Sequence, residues 1–269
     1  MVSSVVVSAD GTPRRAAVRR LETECGRGVS VQAAPAALRW PREREPGVSM
    51  TATVVTELHE MEQIDEFLVV ERAYSDDTDL PTIGLANIEA IVPGIEENKR
   101  KIERACRLFK QRGVNYAFFP EFCLSGYFWE DEPACWAHMD QAVTERHLDW
   151  IDERLRPLLD ETFRGITLNN ISRGSGRKFL NTTFLVAEQI ADPLSQEFTY
   201  HKVFLPGIEK TYTESGRDDR LIITTRFGRK LGFTTCYDYL FGDLLREYTV
   251  IDEIDAIIEL ASWRSQATR

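Results

Sequence analysis

The run Arg229-Lys230-Leu231-Gly232-Phe233-Thr234-Thr235-Cys236-Tyr237-Asp238 decides the architecture. Leu221 to Thr225 and Leu231 to Thr235 are short apolar and β-branched runs joined by Phe227-Gly228-Arg229, the pattern of a strand pair with Cys236 at the end of its second member. From Tyr239 to Val250 the apolar spacing becomes helical, through Leu240, Leu244, Leu245 and Tyr248. Cys236 therefore stands at a strand-to-helix corner, a place where nucleophiles are commonly presented. A free cysteine beside an apolar strand also reads as a small core residue, so its upstream company has to decide.

Working outward, Ile83 to Ile88 is a short apolar strand closed by Pro93-Gly94, and Ile95 to Gln111 is a helix with Glu96 and Glu97 in its first turn. Val114 to Phe119 is a buried strand, so the three form a β-α-β unit with a parallel pair, and Glu121 follows behind Pro120. Phe122 to Trp150 starts as an aromatic loop (Tyr127, Phe128, Trp129) and leads into a helix through Glu145 to Leu159. Gly165 to Asn169 and Phe179 to Glu188 are strands around Ser172-Arg173-Gly174-Ser175-Gly176-Arg177. With no helix after it, that loop reads as a hairpin turn rather than a phosphate cradle. Phe198 to Leu205 is a strand carrying Lys202, and Ala256 to Leu260 is a last strand before Ser262-Trp263.

The N-terminal part differs in texture. Residues 1–50 hold eight Arg, no Lys, five acidic residues and a single aromatic, Trp40, and are expected to be disordered; translation starting at Met50 explains the same composition. Glu22, Glu24, Glu43 and Glu45 do not suit a transit peptide, and Val5 to Val7 is too short for a secretory signal. Residues 51–81 read as an acidic helix and linker. The remainder, 82–269, reads as one domain.

Composition bounds the chemistry. The chain has 269 residues, 43% of them hydrophobic, and a net charge of −10, which argues against nucleic acid or an anionic membrane as partner. Five cysteines at irregular spacing suggest neither a disulfide framework nor a zinc site, and point to a reducing cytoplasm. The four histidines (His59, His138, His147, His201) have no ligand spacing, so no metal is expected. What remains is a chemical set: a carboxylate at a strand end (Glu121), an amine on a strand (Lys202) and a thiol at a corner (Cys236). Singly these read as a solvated strand end, an edge-strand charge and a core residue. Together they supply a base for the thiol and a cation for a developing oxyanion, and an assembled site is expected to lower the thiol's pKa.

Three motifs carry a resemblance: Phe119-Pro120-Glu121-Phe122 with Ser125-Gly126-Tyr127; His201-Lys202-Val203-Phe204-Leu205-Pro206 running through Glu209 and Tyr212 to Gly216; and Leu231 to Asp238. With these, residues 82–263 resemble the nitrilase, or carbon-nitrogen hydrolase, superfamily. The resemblance implies an α/β fold of the α+β kind, a four-layer α-β-β-α sandwich. It implies Glu121 as general base, Cys236 as nucleophile and Lys202 as oxyanion-stabilising cation. Glu209, Tyr127 and the backbone N–H of Tyr237 are implied in support. It further implies hydrolysis of a small amide, carbamoyl compound or nitrile through a thioester, without metal or organic cofactor, in a chain that commonly pairs as a homodimer. Phe241-Gly242-Asp243 departs from the aromatic-Pro-Glu sequence that usually opens the following helix. The resemblance also implies further strands and a helix beyond Trp263, so the expected sandwich lacks its C-terminal part. A non-catalytic or partner-dependent protein is the alternative expectation; transfer of the acyl group or ammonia to another acceptor is a third.

Overall fold

Apolar residues that alternate along strands and recur every three or four positions along helices build two sheets and the helices that cover them. The structure, a computed structural model, describes residues 3–8, 59–73, 79–127, 132–217 and 220–262. Strands β1 (Ser3–Ser8), β2 (His59–Ile64), β3 (Phe67–Ala73) and β4 (Ile83–Asn87) precede helix α1 (Ile95–Gln111) and strand β5 (Tyr116–Phe118). Helix α2 (Glu132–Ala142) follows. Helix α3 (Leu148–Trp150) runs on through a π turn and a 3-10 turn to Leu158. Next come β6 (Gly165–Arg173), β7 (Phe179–Ala187), β8 (Thr199–His201), β9 (Ile222–Thr224) and β10 (Lys230–Thr235). Helix α4 (Gly242–Arg246), prolonged by a π turn to Ile251, and β11 (Ala256–Leu260) complete the described elements.

The larger sheet has the order β2-β3-β1-β4-β5-β6-β7-β8, and the smaller one β11-β10-β9. β4, β5 and β6 are parallel neighbours, as the β-α-β pattern requires, while β6 and β7 form the expected hairpin, with Arg173 opposite Phe179. β10 pairs antiparallel with β9 and parallel with β11.

Alternation assigns the faces. In β5 and β7, Ala117, Phe184 and Val186 point to one side, where they meet Ile102 and Phe109 of α1 and Ile151 and Leu155 of the turns after α3. Tyr116, Phe118, Leu185 and Ala187 point to the other side and pack on Leu231 and Phe233 of β10. The Phe118 and Phe233 rings lie 5.7 Å apart. On the far face of β10, Tyr248 covers Gly232 and its hydroxyl donates to the Phe233 carbonyl at 2.6 Å. The layers are helix, sheet, sheet, helix, which is the expected sandwich.

Two expectations for the N-terminal part are corrected. Ser3–Ser8, expected within a disordered extension, forms β1, antiparallel to β3 and parallel to β4. The acidic stretch expected to be helical is, over residues 59–73, the β2–β3 hairpin. Phe67 and Val69 are buried while Leu68 and Val70 are half-buried, a period of two that outweighs the clustered glutamates; Glu62, on the edge strand, is solvated. The rest of residues 1–58 lies outside the described residues, as does the run 74–78. Among the described residues no helix is long and apolar enough to cross a membrane.

The packing of Tyr248 on β10 leaves no room for a side chain at Gly232. A Cβ there meets the ring of Tyr248 at 2.6 Å and Ile254 at 2.8 Å. Gly232→Ala is expected to destabilise by about 1–3 kcal/mol in chemical denaturation. Gly176→Ala, with nothing within 4 Å, is expected to leave the midpoint unchanged.

Candidate active site

Glu121, Lys202 and Cys236 each sit just past the end of a strand, and the two sheets bring those ends together. Glu121 follows β5 by three residues, Lys202 directly follows β8, and Cys236 directly follows β10. Cys236 has φ of 49° and Phe122, next to Glu121, has φ of 53°. Left-handed backbone at a non-glycine residue costs about 1–3 kcal/mol, so Cys236 and the residue after Glu121 both sit at sharp, strained turns. The segment around Lys202 is fixed by a close backbone approach: the Gly216 N–H donates to the Lys202 carbonyl at 2.8 Å. A Cβ at Gly216 meets the His201 carbonyl oxygen at 2.2 Å, so only glycine fits there.

The Lys202 ammonium is wholly buried and bonds Glu121 Oε1 at 2.8 Å and Glu209 Oε2 at 2.7 Å. Asn181 Nδ2 closes the square from the other side, donating to Glu121 Oε1 at 2.8 Å and Glu209 Oε1 at 2.7 Å. Glu121 Oε2 accepts the Ser262 N–H at 3.2 Å, from just beyond β11. Behind Asn181, Asn169 Nδ2 donates to Asn181 Oδ1 at 2.8 Å and to Thr183 Oγ1 at 2.9 Å, and Asn169 Oδ1 accepts the Phe122 N–H at 2.9 Å. Thr183 in turn meets Thr235, the residue before Cys236, at 3.1 Å. A polar ladder thus runs from the turn after Glu121 to the turn before the thiol.

Electrostatics assign protonation states. Burial works against the Lys202 charge, but the Glu121 and Glu209 carboxylates outweigh it and its pKa is raised, so the ammonium persists. Burial, and then the charge of Glu121, push the Glu209 carboxyl up to about 7. The Cys236 thiol is pushed up to about 12, first by burial and then by Glu121, with Lys202 opposing. This corrects the expectation of a lowered thiol pKa: desolvation at Cys236, a residue 8% exposed, exceeds the attraction of the ammonium. Cys236 rests as a thiol near Glu121, whose charge adds to the rise. Burial, and then the charge of Glu121, also raise the pKa of Tyr127, whose hydroxyl stays protonated.

Of the residues singled out in the sequence, Glu121, Lys202, Glu209, Cys236 and Tyr127 come together. The Tyr237 side chain does not join them: it is 36% exposed and sits edge-on to Phe241 at 5.3 Å. Its main chain alone adjoins the thiol. Asn181, Asn169 and Asp238 escaped the sequence reading. Asn181 and Asn169 had a signal, an amide in the middle of a strand that is otherwise apolar or β-branched, since such a group is buried only with partners.

Comparison with known proteins agrees with this fold. The carbon-nitrogen hydrolase family profile matches residues 82–268. The chain belongs to the carbon-nitrogen hydrolase family. An amidase of the nitrilase superfamily from Nesterenkonia AN1 superposes with a TM-score of 0.56 at 20% identity, over 69% of this chain and 66% of that one. In another structure of the Nesterenkonia amidase, with the same TM-score, identity and coverage, the acetamide moiety of fluoroacetamide is covalently added at the active-site cysteine. A glutamine-dependent NAD+ synthetase from Acinetobacter baumannii gives a TM-score of 0.52 at 17% identity, over 65% of this chain and 31% of that one. The chain therefore spans from about a third to about two thirds of the solved proteins it matches. No curated protein matches the sequence.

The raised carboxyl of Glu209 has a sign that can be measured. Its ordinary value is 4.5 and its folded value about 7, so in between the folded chain holds a proton that the unfolded chain has released. Its contribution to stability is complete below about pH 4.5 and is lost as pH rises to about 7. Urea denaturation across that window is expected to show a shallower decline for Glu209→Gln than for the wild type.

Proposed function

We propose that this chain hydrolyses a non-peptide C–N bond of a small amide, carbamoyl compound or nitrile through a covalent thioester on Cys236. The observation that carries the reading is the buried Lys202 ammonium bonded to Glu121 Oε1, with the Cys236 thiol within electrostatic reach of both. A thiol pushed up to about 12 is not ionised at neutral pH, so its proton must leave as the sulfur attacks. Glu121 takes that proton while the sulfur adds to the amide carbon. The oxyanion that forms is met by the Lys202 ammonium and the Tyr237 N–H. Glu121 then gives the proton to the nitrogen, the C–N bond breaks, ammonia or an amine departs, and a thioester remains. In the second half Glu121 deprotonates water, the hydroxide adds to the thioester, the C–S bond breaks and the sulfur recovers its proton as the acid leaves. Glu209 holds Lys202 and orients substrate.

The burial of the reacting groups supports a small substrate, and the cysteine adduct of the Nesterenkonia amidase supports the amide class. The described cysteines Cys106, Cys123, Cys135 and Cys236 are free thiols, in keeping with a cytoplasmic setting. Leu240, Val250 and Ile251 are exposed around α4 and offer an apolar surface for pairing with a second copy. A non-catalytic role is the alternative outcome of the test below.

Intact mass after brief exposure to a panel of small amides, carbamoyl compounds and nitriles, with ammonia followed in parallel, tests the proposal. A mass increase confined to Cys236 together with ammonia release is expected. Cys236→Ala is expected to abolish turnover with the fold intact, and Glu121→Gln and Lys202→Ala each to lower kcat by at least ~10²-fold. Turnover at the wild-type rate by the Cys236→Ala variant would falsify the mechanism.

A further inference from the structure

Asp238 lies two residues beyond the nucleophile, in the 3-10 turn Cys236–Leu240, and is fully buried. Its Oδ2 accepts the Tyr200 hydroxyl at 2.6 Å and its Oδ1 accepts the Phe204 N–H at 2.7 Å. Tyr200 stands two residues before Lys202 and Phe204 two residues after it. A single carboxylate on the thiol's turn therefore grips the lysine's segment on both sides of the lysine. The Phe204 ring, at one of those two points, also stacks at 3.6 Å on Phe241, so the two segments are pinned again just beyond.

We propose that Asp238 is a positioning residue that sets the separation between the Lys202 ammonium and the Cys236 sulfur, and with it the cradle for the oxyanion. Cys236 occupies a strained left-handed conformation, which relaxes unless the residues after it are anchored. Burial raises the Asp238 carboxyl to about 6 against the pull of its donors, so at neutral pH it is ionised and both bonds are charge-assisted. Hydrogen bonds to a buried charge contribute more than neutral ones, and a small displacement of a reacting group is costly in rate. The role of Asp238 in turnover rests on the hydrolase reading above; its role in holding the thiol beside the ammonium does not.

Asp238→Asn keeps the shape but offers one acceptor and one NH2 in place of two acceptors. Two readouts separate positioning from simple structural support: kcat and KM for the amide turned over fastest in the panel, and the rate of Cys236 alkylation by iodoacetamide, followed by intact mass. With circular dichroism and the denaturation midpoint showing a folded protein, the substitution is expected to lower kcat about 10-fold with KM nearly unchanged, and to slow alkylation several-fold. Tyr200→Phe, which keeps the Phe204 bond, is expected to lose less, and the double variant no more than Asp238→Asn alone. If Asp238→Asn does not fold, Tyr200→Phe carries the same comparison. Wild-type kcat and alkylation per folded molecule overturn the proposal, as does a rise in KM with kcat retained. If the wild type turns over no amide but alkylation still slows in the variant, the hydrolase reading fails and the positioning role stands.

Discussion

The buried ammonium of Lys202 is the group on which the rest of the site depends. Taking one cation and two carboxyl groups out of water is expensive, and their attraction offsets the cost only when the remaining hydrogen-bonding capacity is filled. Here Asn181 bridges the two carboxyl groups, Ser262 supplies a main-chain donor to Glu121, and Asn169 holds Asn181 in place. Those partners come from β6, β7 and the end of β11, so satisfying one charge fixes elements of both sheets relative to each other. Seen this way, the interior of the sandwich is apolar along most of its length and ionic at one end because the strands end there, where turns can aim side chains inward.

Strain and charge work together at that end. Two non-glycine residues, Phe122 and Cys236, take up left-handed backbone on either side of the cluster. Neither conformation is favourable alone. Each is held by hydrogen bonds from the same polar ladder: Asn169 accepts the Phe122 N–H, and Thr183 meets Thr235 just before Cys236. The helix beyond Cys236 starts later than its apolar spacing predicts. Apolar spacing placed its start at Tyr239, whereas a 3-10 turn occupies Cys236–Leu240 and α4 begins at Gly242.

Much of this was legible in the residues, for identifiable reasons. α1 ran over Ile95–Gln111 as its periodicity and acidic first turn required, because a helix is specified by neighbours a few positions apart. Glu121, Lys202 and Cys236 stand out because reactive side chains on or at the ends of strands are few, while Glu209 is marked only by the family resemblance. β1 does not stand out, because a strand whose partners are Ala73 and Ile83 has no local mark of its pairing. Lys202 fell outside β8, which stops at His201, since the run of apolar residues after it serves packing rather than a ladder. Asn181 is marked in the sequence as an amide inside an apolar strand, which says that it has partners but not which ones. The state of the thiol was misjudged for a similar reason: the charges near it were readable, while the loss of water around it was not.

The lost water bears on how the Cys236 thiol meets oxidants. Oxidants attack the thiolate, and a sulfur that is buried and protonated at rest presents almost none of it. Peroxide therefore has little to react with while the proton stays on the sulfur. The same burial that raises the thiol's pKa thus slows its passage toward sulfinic acid.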